Sequence, residues 1–238
     1  MKCQVLPQSK PKFIMPIVIK IILFIHVLAG VTSLITGMIA FLTLKGGINH
    51  RKIGKIYSYA MTIVFITAIT VSAYKFIPFL FMIAFLSYYS VFAGVRILKL
   101  KKLHEGQSPK WYDWFAAILN LVVNLIFVGW GIYEIMVNSN TGFGYLAIGF
   151  GIGGALISRT NLIPFITPPK HKMHWWTSHM GNIFGGYIAT TTAFSTTVFP
   201  MVFNSNSIIA WIWPALIGVP ISIIWRKRYE RKFNKIKS

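Results

Sequence analysis

Residues 171–194 read HKMHWWTSHMGNIFGGYIATTTAF, and the stretch joins two unlike halves. Its first nine residues hold three of the chain's six histidines, His171, His174 and His179. The rest is a small-residue apolar run that, continued to Val198, has the length a helix needs to cross a bilayer, about 20 residues. Working outward in both directions, apolar runs of this kind recur along the whole chain. The protein has 238 residues, of which 55% are hydrophobic, and a mean hydropathy of +0.63. Charged residues make up 12%, against about 25% in an average soluble domain. Backbone groups in lipid must be satisfied within the segment, which an open sheet cannot do and a helix can. The expectation is an all-α, multi-pass transmembrane helical bundle of about seven spans, a single integral membrane domain over residues 1–238.

The spans are placed by hydropathy and by helix punctuation. Helix 1 falls within 13–44, with Pro16 near its start and Gly46-Gly47 ending it. Helix 2 takes 50–74, with Asn49 as N-cap. Lys75 and Pro78 interrupt the run, and helix 3 follows over 77–98. A polar, basic loop of about a dozen residues leads to helix 4, 111–135, whose opening WYDWF is an interfacial aromatic belt. Helices 5, 6 and 7 are read as 142–158, 175–198 and 208–225, the last carrying Pro214 and Pro220 as kink points. Residues 226–238 form a basic cytoplasmic tail. The first apolar run is too long for a signal-peptide core, and no cleavage site is expected after it. Cys3 is the only cysteine, so neither an intramolecular disulfide nor a thiolate metal site is expected.

The formal net charge is +20. The cations sit in short segments between apolar runs, a pattern of topology signals rather than of a basic face, so no nucleic-acid partner is expected. The loops after helices 1, 3 and 5 and the tail hold Arg51, Lys52, Lys99, Lys101, Lys102, Lys170, Arg226, Lys227 and Arg228. The other side has Lys2, Lys10, Lys12 and Lys75. Positive-inside logic puts the C-terminus in the cytoplasm and, with seven spans, the N-terminus outside a cell membrane. Anionic lipid headgroups are the expected partners of the basic loops and tail.

Helical spacing gathers the polar residues into stripes. Helix 1 carries His26, Gly30, Ser33, Gly37 and Ala40, and helix 2 carries His50, Gly54, Tyr57 and Met61. Helix 4 carries Asp113, Asn120, Asn124 and Gly131 with Glu134 beside them, and helix 6 carries His179, Asn182, Gly186, Thr190 and Thr197. The simplest arrangement has all four stripes facing a shared interior. Ridges of small residues, Gly181, Gly185, Ala189 and Ala193 on helix 6 and Ala147, Gly151 and Ala155 on helix 5, allow close helix approach, within the chain or in a homo-oligomer. Gly149, Gly151 and Gly154 fit a dinucleotide fingerprint in spacing only, because no strand precedes them; packing explains them.

Ionisable residues in apolar helices mark sites. Neutral imidazoles ligate transition metals and haem iron, and a carboxylate completes a mixed set. His50, Asp113, His174 and His179 are therefore a candidate metal set at the cytoplasmic face, and His50 with His179 a candidate haem pair. His26, deeper in helix 1, with Asn124 and Glu134 is a candidate interior relay for protons, since imidazole titrates near neutrality. Anchoring of helix ends at the interface remains an open alternative for every one of these histidines. Ser178 beside His179 does not make a hydrolytic triad, because adjacent helix residues do not face each other.

Three segments, HVLAGVTSLITG (residues 26–37), NHRKIGKIYSYAM (49–61) and HWWTSHMGNIFGGYIATTTAF (174–194), resemble a family of uncharacterised bacterial multi-pass membrane proteins. The resemblance covers about a third of the chain and implies a helical inner-membrane protein marked at His26, His50, Arg51, His174 and His179. A looser similarity is to cytochrome b561-like bundles, which hold two haems between paired histidines. His26 has no histidine partner, so the similarity would leave room for one haem, between His50 and His179. The function expected is thus a histidine-lined metal or haem site at the cytoplasmic face with a redox role. The alternatives are a proton-coupled transporter and an accessory membrane protein without chemistry.

Overall fold

The structure, a computed structural model, describes residues 14–75, 77–139, 141–203 and 208–235; Cys3, Phe13, the lysines at 2, 10 and 12 and the last residues of the tail lie outside them. Among the described residues the chain forms seven helices: α1 Ile14–Leu42, α2 Ile48–Lys75, α3 Pro78–Arg96, α4 Trp111–Met136, α5 Thr141–Ile166, α6 His174–Phe203 and α7 Ile209–Lys235. Two 3-10 turns, Ile97–Lys99 and Leu103–Glu105, lie between α3 and α4. Six of the helices are long and apolar enough to cross a membrane; α6 is long enough but too rich in Ser, Thr, Gly and His to qualify on hydropathy. The outward faces of α1, α4 and α7 are sheets of Ile, Leu, Val and Phe. Such a surface is an aggregation hazard in water and the ordinary surface of a membrane protein in lipid.

Sequence-level punctuation sets most of the boundaries. Gly46 takes a left-handed φ of +78°, which turns the chain out of α1, and Lys45 donates from Nζ to the Ala40 and Phe41 carbonyls that the helix end leaves open. Pro78 sits at the first position of α3, where a missing N–H costs nothing. Asn49 is not a cap, because α2 already begins at Ile48. α5 runs past Ser158 to Ile166, with Pro164 in its last turn. The polar residues there do not end the helix because they find partners: Ser158 accepts from Asn120, and Asn161 exchanges amide hydrogen bonds with Asn182. α7 likewise runs on through most of the basic tail.

The helices pack as two hairpins flanking a central pair. α1 lies on α2, α4 lies on α5, and α3 and α6 sit between, with α7 against α6. Close approach of α4 and α5 depends on glycine. A Cβ on Gly151 would stand 2.8 Å from the Asn124 carbonyl and 3.0 Å from the Val128 nitrogen, and one on Gly154 would enter the Asn124 side chain. Gly151 and Gly154 are therefore packing residues spent inside the chain, whereas a Cβ on Gly149, the first glycine of the same spacing, meets nothing within 4 Å. The helix 4 stripe of Asp113, Asn120, Asn124 and Gly131 is buried as expected. It faces α5 and α3, however, while the α1, α2 and α6 stripes meet around Tyr57, Met61, Val91 and Tyr187. There are two polar interfaces in place of one shared interior, because α4 packs chiefly on α5 and α1 on α2.

Candidate functional site

The main cavity lies at one end of the bundle and has a volume of about 430 Å³. Its walls come from the α1–α2 loop, the 3-10 turn after α3, the start of α6 and the end of α7. These cation-bearing segments thus share one end, as alternating helix directions require. Phe41, Trp175, Trp176, Phe184, Trp225 and Tyr229 supply aromatic walls, and Lys45, Arg51 and Lys101 supply charge. The lining includes no Asp or Glu.

Two imidazoles share this cavity. His50, in the first turn of α2, and His179, in the second turn of α6, have ring centroids 6.4 Å apart and planes at 82°. Nδ1 of His50 lies 3.1 Å from the Ala40 carbonyl oxygen, and Nδ1 of His179 lies 2.7 Å from the Gly94 carbonyl oxygen. A carbonyl only accepts, so each Nδ1 carries the proton and donates it. The neutral ring then keeps its lone pair on Nε2, the atom a metal takes. Gly94 makes the second bond feasible: a Cβ there would stand 2.9 Å from Ile183 and hold α6 away. Lys45, seated against the Trp225 and Phe41 rings at 4.9 and 5.6 Å, has its pKa lowered from the usual lysine value by burial.

No family model, no curated protein and no solved structure matches this chain. The resemblances drawn from the sequence thus gain nothing from comparison, and the site rests on its own geometry.

That geometry brings together part of the residues expected from sequence and separates the rest. Asp113 does not join the histidines. Its side chain, 2% exposed, takes Nε and Nη2 of Arg96 at 2.6 and 2.8 Å and the Lys110 backbone N–H at 2.9 Å. It closes the start of α4 and ties it to α3, and both its oxygens are engaged. His174 is also elsewhere. Its two ring nitrogens face the Leu100 and His171 carbonyls, both at 3.2 Å, and its ring packs on His104. Among the described residues no three His, Cys, Asp or Glu side chains gather as a metal cluster would need, so the four-residue metal set is not assembled. The interior relay is not assembled either. His26 Nδ1 meets the Thr67 hydroxyl at 2.8 Å, Glu134 accepts from Trp130 Nε1 at 3.0 Å within its own helix, and Asn124 donates to the Asn120 carbonyl.

Sequence reading missed Lys45, Lys101 and the tryptophans as parts of the site. The pair Trp175-Trp176 directly after His174 was a signal for it, since two indoles at a helix start make an interfacial wall. Trp225 carried no local signal; only the return of α7 to this end places it.

Proposed function

We propose that this protein is an integral membrane protein that holds a metal-centred group, a transition metal or haem, between His50 and His179 for redox chemistry at the cytoplasmic face. The observation that carries the reading is the pair of imidazoles lining one cavity, with both Nδ1 atoms engaged by backbone carbonyls. The rings are 6.4 Å apart, centroid to centroid, which is close enough for His50 and His179 to hold one metal between them. Backbone carbonyls fix tautomer and orientation, and hydrogen bonds to the far nitrogen raise the basicity of the ligating one. The aromatic walls would give the group a largely apolar surround, which tunes its potential.

The same end of the bundle carries the basic loops and the helical tail, which supports placing it in the cytoplasm against anionic headgroups. The test is an absorbance spectrum with elemental analysis of the full chain purified in mild detergent. A Soret band or a stoichiometric metal is expected, lost in His179→Ala and in His50→Ala. Occupancy unchanged by both substitutions refutes the reading.

A further inference from the structure

Two imidazoles are too few for a bare ion. A structural or catalytic zinc takes three or four protein donors, and the cavity lining offers no carboxylate and no thiolate to complete the count. Nor does the volume suit an ion: about 430 Å³ is far more than an ion with a few waters fills at about 30 Å³ per water. With the thioethers of Met173 and Met180 as the only other soft donors in the lining, the volume favours a group that brings most of its metal's donors with it and would take the others from His50 and His179.

The charge around the cavity narrows the class further. Arg51 and Lys101 are exposed at its rim, and neither has an ion-pair partner among the described residues. Lys101 lies flat over Trp175, its Nζ 4.4 Å from the ring centroid, which holds the ammonium beside the opening. Lys45 is committed to the α1 carbonyls and contributes its field rather than a free donor. With four acids in the whole chain against 24 lysines and arginines, the carboxylates for this rim have to come from outside. The lining also holds Phe41, Trp175, Trp176, Phe184, Trp225 and Tyr229, side chains that suit an aromatic, planar body.

We propose that the cavity takes an iron tetrapyrrole bearing free carboxylates, held axially by His50 and His179 and at its acidic edge by Arg51 and Lys101. This rests on the reading of the imidazole pair as ligands and adds the class of what they ligate. Arg51 and Lys101 are positioning residues, because they meet the edge of the group and not its metal. Charge-assisted contacts of this kind are about twice as strong as neutral ones and depend on the ligand's charge.

The experiment uses the full chain, stripped of bound groups in mild detergent. It is titrated separately with iron protoporphyrin IX, with the dimethyl ester of the same compound, and with zinc or ferrous ion alone. The free diacid is expected to bind with a low-spin bis-imidazole spectrum, and the ester about tenfold or more weaker, which is a 1.4 kcal/mol difference. Arg51→Gln with Lys101→Gln should remove most of that preference and keep the bis-imidazole spectrum; both positions are exposed, and size-exclusion elution checks the fold. Equal binding of diacid and ester overturns the carboxylate rim and leaves the imidazole pair as a ligand site. Stoichiometric binding of the free ion, lost in His179→Ala, overturns the tetrapyrrole and keeps a metal. Displacement of the diacid by phosphatidylglycerol reassigns the rim to lipid headgroups and overturns the proposal. Failure of every probe to bind removes both readings.

Discussion

Removing the guanidinium of Arg96 is the most informative perturbation of the scaffold. In the native bundle Arg96 and Asp113 form a bidentate pair at 2.6 and 2.8 Å, with side chains 14% and 2% exposed. Arg96→Ala leaves a carboxylate buried between α3 and α4 with one remaining donor, the Lys110 backbone N–H at 2.9 Å. Breaking a buried pair by deleting one partner costs about 3–5 kcal/mol, because the surviving charge keeps its desolvation penalty. The retained backbone bond and the favourable N-terminal end of α4 offset part of that, each by about 1 kcal/mol, so a loss of about 1–3 kcal/mol is expected. Replacing both partners with apolar residues of similar volume, Arg96→Met with Asp113→Leu, removes the penalty along with the pair. It should therefore cost less than Arg96→Ala alone. The assay is unfolding in mixed detergent micelles followed by intrinsic tryptophan fluorescence, with eight tryptophans as reporters. A loss under about 1 kcal/mol for Arg96→Ala would put the pair in the class of solvated surface bridges. It would refute the argument that Asp113 is withheld from the histidines by a buried partner.

Three further outcomes follow from named contacts, each read by the same unfolding assay together with the absorbance of the bound group. Gly151→Ala forces a methyl against the backbone at Asn124 and Val128 and should cost about 1–3 kcal/mol by overpacking; Gly149→Ala, which meets nothing within 4 Å, should be close to neutral, and a reversed order would refute the α4–α5 register. His26→Ala loses its 2.8 Å bond to Thr67, worth about 0.6 kcal/mol and at most about 1.7 between membrane helices. It should leave the bound group in place, whereas loss of the group would return His26 to the site. His174→Ala gives up two carbonyl contacts, of which a neutral ring donates to one, and should cost about 1 kcal/mol with occupancy intact.

The helices were legible because their signal is local: an apolar run of the right length is a helix in lipid whatever it packs against. Ends were less legible where polar residues had distant partners. Ser158 and Asn161 look like a helix end in isolation and are interior once Asn120 and Asn182 are opposite them. The site was half legible. His50 and His179 came from the reading of interfacial imidazoles, and they do meet. Asp113 was placed with them because a carboxylate completes a mixed ligand set, yet with four acids among 24 lysines and arginines the buried carboxylate is held by the guanidinium of Arg96. The helix 4 stripe is buried, the others are so only in part, with Thr197 exposed, and they do not share one interior, since periodicity reports which face of a helix is polar and says nothing of which neighbour it meets.

α7 has a mechanical consequence. Its 27 residues span about 40 Å, against a hydrocarbon core of about 30 Å, so its basic turns stand clear of the apolar layer. Pro220 cannot donate to the carbonyl one turn before it, which leaves a pivot within the span. Beyond that pivot Trp225 forms a cavity wall, packed on Phe184, and Tyr229 rests on Trp176. The helix that supplies one wall of the cavity is thus the same one that carries the last basic turns, about 22 Å of it from Pro220 to Lys235, so wall and cations are set by one element.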